Sequence, residues 1–193
     1  MTLVLTLAAT GIVVQVGDRL ISEKGSLKPV DEIATKQVLY RAKDALVSIA
    51  YAGQATMAGV PTDEMIAAYL SGDISLGKRN FSERFVLKSS EQNNQIWPLK
   101  HALGHLLRKL ISHISVGNTL ELSITGFVID AGEAKRFIQT YKLNPDGKRN
   151  VERPPPNAKG LCQSLGRGRE TESSTKRRPV FVGSEGSWRH MDL

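Results

Sequence analysis

Cysteine is nearly absent from this chain of 193 residues: the one present, Cys162, excludes an internal disulfide framework and cannot by itself build a zinc site. Long apolar runs are missing too. The longest, Leu3 to Val16, is broken by Thr6, Thr10, Gly11 and Gln15, and falls short of the roughly 20 apolar residues a membrane helix needs. No basic residue precedes that run and no cleavage site follows it, so neither a membrane span nor a secretory signal is expected. A reducing, cytoplasmic location is. Acidic residues are in deficit, 19 against 26 lysines and arginines, for a formal net charge of +7.

The excess charge is concentrated. Between Lys148 and Arg178 nine lysines and arginines face three acids, a local net of +6. The same stretch carries Pro154-Pro155-Pro156, the Gly166-Arg167-Gly168 turn and the Ser/Thr-rich Thr171 to Thr175, with few large apolar residues to bury. It reads as a mobile basic segment. The chain therefore divides into a folded part over 1–147, a basic extension over 148–178 and a short apolar ending over 179–193. At 40% hydrophobic and 23% charged residues, the whole is long enough for one ordinary domain.

Within the folded part, Thr2 to Ala8 and Ile12 to Val16 are aliphatic runs without polar alternation, joined by Ala9-Thr10-Gly11. They predict a hairpin covered on both faces. Lys36 to Tyr40 and Ala45 to Tyr51, joined by the turn Arg41 to Asp44, predict a second hairpin. The period then changes: Met65, Ile66, Tyr69 and Leu70 form a helical stripe behind Thr62-Asp63-Glu64, whose acids suit a first turn. Trp97, Leu99, Leu103, Leu106, Leu107, Leu110 and Ile114 mark a second, strongly amphipathic helix stopped at Gly117-Asn118. Strand character resumes over Leu120 to Ile129 and Arg136 to Leu143, on either side of the turn Asp130 to Glu133. Four strands, two helices and two strands argue α+β with largely antiparallel sheets.

Few residues are arranged for cofactor chemistry. His101 and His105 share a helix face, but their neighbours are Lys100, Arg108 and Lys109, and no acid or cysteine lies near in sequence to complete a metal shell. Gly166-Arg167-Gly168 opens no helix and carries no Lys-Ser/Thr pair, so a nucleotide loop has no support. Cys162 sits in the basic segment with no histidine near in sequence and reads as an incidental thiol. No metal and no cofactor are expected. The basic segment lacks interleaved aromatics that would grip bases, so it licenses only nonspecific attraction to nucleic acid.

Thr2 is the sharper feature. Removal of Met1 would leave a threonine whose hydroxyl and α-amine belong to one residue, a nucleophile with its own base; an α-amine titrates at about 7.7 to 8.0. Such a group needs an N-terminal strand inside the fold, a nearby cation, and an acid to hold that cation. Thr2 opens the first strand, Asp18 ends the second and Lys36 starts the third. Buried charges left unpaired cost several kcal/mol, on the order of 3–5, so Asp18 and Lys36 are expected to meet each other or water.

Thr2 heading an apolar strand, Val13-Val14-Gln15-Val16-Gly17-Asp18-Arg19, Lys36-Gln37-Val38-Leu39, and Ile49-Ala50-Tyr51-Ala52-Gly53 before a helix together resemble the proteasome β-subunits and their bacterial relatives. Those are N-terminal-nucleophile (Ntn) hydrolases. The resemblance covers roughly residues 2 to 145 and implies an αββα sandwich of antiparallel sheets. It also implies Thr2 as the attacking group, Asp18 and Lys36 as its tuners, and the Gly53 backbone N–H as an oxyanion donor. Pro179 to Ser187 resembles the family's Gly-Ser stretch, making Ser184 and Ser187 possible supporting groups. Six residues follow it, so the C-terminal half of the sandwich is expected to be incomplete, with an apolar sheet face left uncovered.

Three readings follow. The first is a threonine-type amidohydrolase or peptidase acting on a peptide or amide through an acyl-enzyme, assembled as a homo-oligomer, with an ATPase partner undetermined. The second is a non-catalytic Ntn-fold subunit or truncated remnant. The third is a binding module working through the basic segment.

Overall fold

The computed structural model describes residues 4–9, 11–18, 21–22, 29–31, 35–71, 87–88, 97–153 and 161–165. Thr2, Arg19, Ser184, Ser187 and the Gly166 to Gly168 turn lie outside them.

The opening hairpin pairs β1 (Val4–Ala9) with β2 (Ile12–Gly17), Val4 opposite Gly17 and Ala9 opposite Ile12. Two short strands, β3 (Ile21–Ser22) and β4 (Pro29–Asp31), pair with each other. The second hairpin is β5 (Gln37–Arg41) and β6 (Ala45–Gly53), at the expected place. A small hairpin, β7 (Thr56–Met57) and β8 (Val60–Pro61), turns at Ala58 and Gly59, both with positive φ. Helix α1 (Thr62–Ser71) begins where its acids predict. β9 (Leu87–Lys88) adds to the far edge of β5, parallel to it.

Helix α2 (Leu99–Ile111) is shorter than its apolar stripe, for a local reason. Pro98 stands at its N-cap in extended geometry and offers no side-chain cap, so Asp44, from the β5–β6 turn, accepts the Leu99 N–H at 2.7 Å. β10 (Leu120–Asp130) and β11 (Glu133–Leu143) form the longest ladder, closed by Ala131 and Gly132, again both at positive φ. β12 (Arg149–Glu152) follows β11, and β13 (Leu161–Leu165) returns to pair with β1, Leu7 opposite Cys162.

Those last two strands place paired backbone within 148–178. Backbone pairing supplies what apolar content does not: β13 brings two leucines and satisfies the free edge of β1.

The strands form a six-stranded sheet, β12-β11-β10-β6-β5-β9, antiparallel apart from the β5–β9 pair, and a three-stranded antiparallel sheet, β13-β1-β2. The architecture is α+β with mostly antiparallel sheets and two helices among the described residues, as the element pattern argues. One face of the larger sheet carries Val47, Ile49, Tyr51, Leu120, Leu122, Ile124 and Leu143, buried with Ile66, Leu106 and Leu110 of the helices in one core. Tyr69 of α1 and His113 beyond α2 share a 2.7 Å hydrogen bond that ties the helices together.

The opposite face meets the smaller sheet through polar groups. Gln15 Nε2 donates to Ser123 Oγ at 3.1 Å, to Thr6 Oγ1 at 3.2 Å and to the Ser123 carbonyl at 3.3 Å, while Ser48 Oγ donates to Gln15 Oε1 at 2.6 Å. Ala50 and Ala52 close the layer against Val4. The smaller sheet's outer face is exposed: Leu5, Ile12, Val14 and Val16 are each 41–58% accessible. The opening hairpin is thus buried on one face only, which corrects the expectation drawn from its lack of polar alternation. β-branched and leucine side chains stand outward here with no described element over them.

Candidate functional site

Lys36 is 3% exposed, immediately before β5, where a lone ammonium would be strongly unfavourable. Its Nζ donates to Asp18 Oδ1 at 2.6 Å. Asp18 directly follows β2 and its side chain is 32% exposed, so the pair grades from a buried cation to a carboxylate that touches solvent. The meeting of the two charges expected from their strand-end positions is therefore observed. The bond also crosses between sheets, because β2 belongs to the smaller sheet and β5 to the larger.

Backbone pairing brings more of the expected site to this end. The Tyr51 N–H donates to the Lys36 carbonyl at 3.2 Å, which sets the end of β6 beside Lys36. Val4, first residue of β1, packs on Ala50 and Ala52 of that same stretch and lies opposite Gly17, the residue before Asp18. The start of β1, the end of β2, the start of β5 and the end of β6 thus converge. Thr2, two residues upstream of Val4, and the supporting candidates Ser184 and Ser187 lie outside the described residues.

Gly53 ends β6 in an exposed position with φ of +107°. A Cβ there would sit 2.2 Å from the Thr119 carbonyl oxygen, so both the torsion and the close approach require glycine. The turn beyond it is fixed by Gln54, whose contribution sequence reasoning missed. Its amide Nε2 donates to the carbonyls of Thr56 at 2.8 Å and His113 at 3.1 Å, and its Oε1 accepts the Ser115 N–H at 3.0 Å. Its backbone N–H donates to Thr119 at 3.2 Å. A glutamine after Gly-terminated strand residues carries no sequence signature; only the packed partners reveal the clamp.

The other candidates fall elsewhere. His101 and His105 both turn their rings toward Trp97, with centroids 4.6 and 5.4 Å from it, rather than toward an acidic ligand set. Burial, then the charges of Lys109, Arg108 and His101, holds His105 below the usual histidine range. Cys162 lies in β13, described by its backbone alone. The largest carboxylate perturbation is at Asp63, in the first turn of α1, which burial pushes up to about 6. Backbone hydrogen bonds and the Tyr51 hydroxyl act in the opposite direction there. Tyr51 belongs to the apolar core beneath the helices, so Asp63 lies against that core.

Chemically, a buried ammonium anchored by one carboxylate favours the deprotonated form of any hydroxyl or the neutral form of any amine brought beside it. Beside a rigid, solvent-facing glycine turn, that is a setting for polarising a carbonyl. In comparison with known proteins, no family model matches the chain and no curated protein matches it.

Proposed function

We propose that the chain is a threonine-type N-terminal-nucleophile amidohydrolase of an Ntn-like sandwich fold, acting on a peptide or amide through an acyl-enzyme on Thr2 after loss of Met1. The observation that carries this reading is the Lys36–Asp18 ion pair, 2.6 Å long, at the end of the sandwich where β1 begins and Gly53 turns.

In this mechanism the Thr2 hydroxyl oxygen attacks the amide carbonyl carbon as its proton passes to the α-amine, directly or through a water. The carbonyl π bond opens to an oxyanion that accepts the Gly53 N–H. Collapse breaks the C–N bond, the α-ammonium returns its proton to the leaving amine, and an ester remains on Thr2. Water attacks that ester with the α-amine again as base, releasing the acid and restoring the hydroxyl. Lys36 lowers the cost of ionising the hydroxyl and Asp18 keeps that lysine aimed. A homo-oligomer in the cytoplasm, with or without an ATPase, accompanies the proposal.

The second reading, a non-catalytic subunit that uses the sandwich for assembly, is favoured by the exposed Leu5, Ile12, Val14 and Val16. One experiment separates the two: intact mass and peptide mapping before and after treatment with an electrophile that acylates N-terminal threonine. The enzyme reading expects loss of Met1 and a single adduct on Thr2. That adduct should vanish in Thr2→Ala and form at least about tenfold more slowly in Lys36→Met, which keeps the buried stem without its charge. Retained Met1, or a free Thr2 that never reacts, would overturn the enzyme reading and leave a truncated or structural member of the fold.

A further inference from the structure

A groove of about 750 Å3 runs between α2 and the β11–β12 turn, on the helix side of the molecule and away from the Lys36–Asp18 pair. Its walls carry Lys100, His101 and Arg108 from the helix and Arg149 from the start of β12, with Gly104 and Ile111 between them. Among the described residues no carboxylate lines it and none pairs with Lys100, Arg108 or Arg149. The acid of the turn, Asp146, is engaged by Lys148, through its N–H at 2.9 Å and its Nζ at 3.3 Å. Arg108 is oriented by its Nε, which donates to the Gly104 carbonyl at 3.1 Å and leaves the terminal nitrogens of the guanidinium for a ligand.

Gly104 explains why there is a groove at all. A mid-helix glycine is unfavourable relative to alanine, and here nothing in the packing demands it: a Cβ at Gly104 would meet no atom within 4 Å. Its missing side chain leaves open space between Lys100, one turn before, and Arg108, one turn after. Those two cations are about 12 Å apart along the helix axis, within reach of one ligand through their long stems. Two arginine forks and one ammonium over an apolar strip match a compact ligand with several closely spaced charges and planar oxygen pairs. A single carboxylate would leave two of the three cations unanswered.

We propose that this groove binds a small anion bearing two or more adjacent phosphates. A nucleoside triphosphate and an inositol polyphosphate share that chemistry. The volume suits either as a ligand of ordinary size.

Calorimetric titration of the full chain with inorganic tripolyphosphate tests the proposal, with adenosine triphosphate and inositol hexakisphosphate as separate arms that identify the source. One saturable site is expected, weakening between about 50 mM and about 200 mM salt. Lys100→Glu should reduce affinity at least about tenfold while keeping the helix, because an acid near the N-terminal turn is favourable there. Gly104→Leu should do the same by filling the groove with a good helix former. Replacing Lys176, Arg177 and Arg178 with alanine should leave affinity unchanged. The proposal fails if no site saturates, or if the Lys176–Arg178 variant abolishes binding while Lys100→Glu and Gly104→Leu retain it. It fails equally if an oligonucleotide or polyglutamate binds more tightly than every small phosphate through the same residues.

Discussion

On one face of the six-stranded sheet, Ile49, Leu122 and Ile124 are wholly buried beneath α1 and α2; on the other, Ser48, Ser123 and Thr125 from the same two strands face the smaller sheet. The helix side is stabilised by apolar area, which is large and non-directional. The sheet side is thin, lined by Ala50, Ala52, serines and threonines, and held by hydrogen bonds centred on Gln15, with Thr6 and Ser123 also bonded to each other at 3.3 Å. Apolar burial of that kind tolerates sliding, whereas hydrogen bonds from Gln15 to two residues of β10 and β6 fix one relative position of the sheets. That position is what lets Lys36 on one sheet reach Asp18 on the other at 2.6 Å. Stability and site geometry thus reside on opposite faces of one sheet.

The largest test of that contrast uses neighbouring residues of β10. Ile124→Ala removes a fully buried side chain from the core under the helices and should destabilise by about 2–5 kcal/mol in urea unfolding. Ser123→Ala, one residue earlier and on the other face, should lose only about 0.5–1.5 kcal/mol, since Gln15 Nε2 keeps the Ser123 carbonyl and Thr6 as acceptors. Equal losses would show that the two faces contribute alike.

Asp63 is the exception on the apolar side, a carboxyl pushed up to about 6 by burial at the start of α1. Because the native state then holds its proton to higher pH than the unfolded chain, which releases it near 3.8, the unfolded state binds fewer protons across that window. Stability therefore falls as pH rises from about 4 to about 6, by up to about 3 kcal/mol, and stays lower at neutral pH. Asp63→Asn should remove the fall, raising the melting temperature at pH 7 and coinciding with the parent below about pH 4. A parent whose stability rises through that window would mean that the hydrogen bonds to Asp63 outweigh its burial.

How much of this was legible in the sequence follows from where the information lies. Hairpins announced by short polar turns, and helices announced by stripes such as Leu103, Leu106, Leu107 and Leu110, stand where their local patterns place them. Strand-end charges at Asp18 and Lys36 were legible because burial of one obliges it to find the other. Leu161 to Leu165 was not, since a strand that contributes edge pairing amid prolines, glycines and arginines lacks an apolar pattern of its own. Gln15 is likewise silent: within Val13-Val14-Gln15-Val16 it reads as one polar interruption, and its role exists only when two sheets that are distant in sequence face each other. The groove at Gly104 was silent as well, because an absent side chain is informative only once its surroundings are known.

The smallest predicted effect probes the polar layer where it is incomplete. Thr125 Oγ1 is buried on the sheet side with no hydrogen-bond partner among the described residues, although its neighbour across the ladder, Ser48, is bonded to Gln15. An unanswered buried hydroxyl is unfavourable by about 1–3 kcal/mol, while valine keeps the β-branched shape that the strand prefers. Thr125→Val should therefore be neutral to stabilising, up to about 1 kcal/mol or a rise of about 2–4 °C in melting temperature. Its reaction at Thr2 should be unchanged, because Gln15, Ser123 and Ser48 still fix the sheets. A clear loss of stability would mean that the Thr125 hydroxyl is answered by a bound water, and would extend the hydrogen-bonded layer one residue further along β10 than Gln15 reaches.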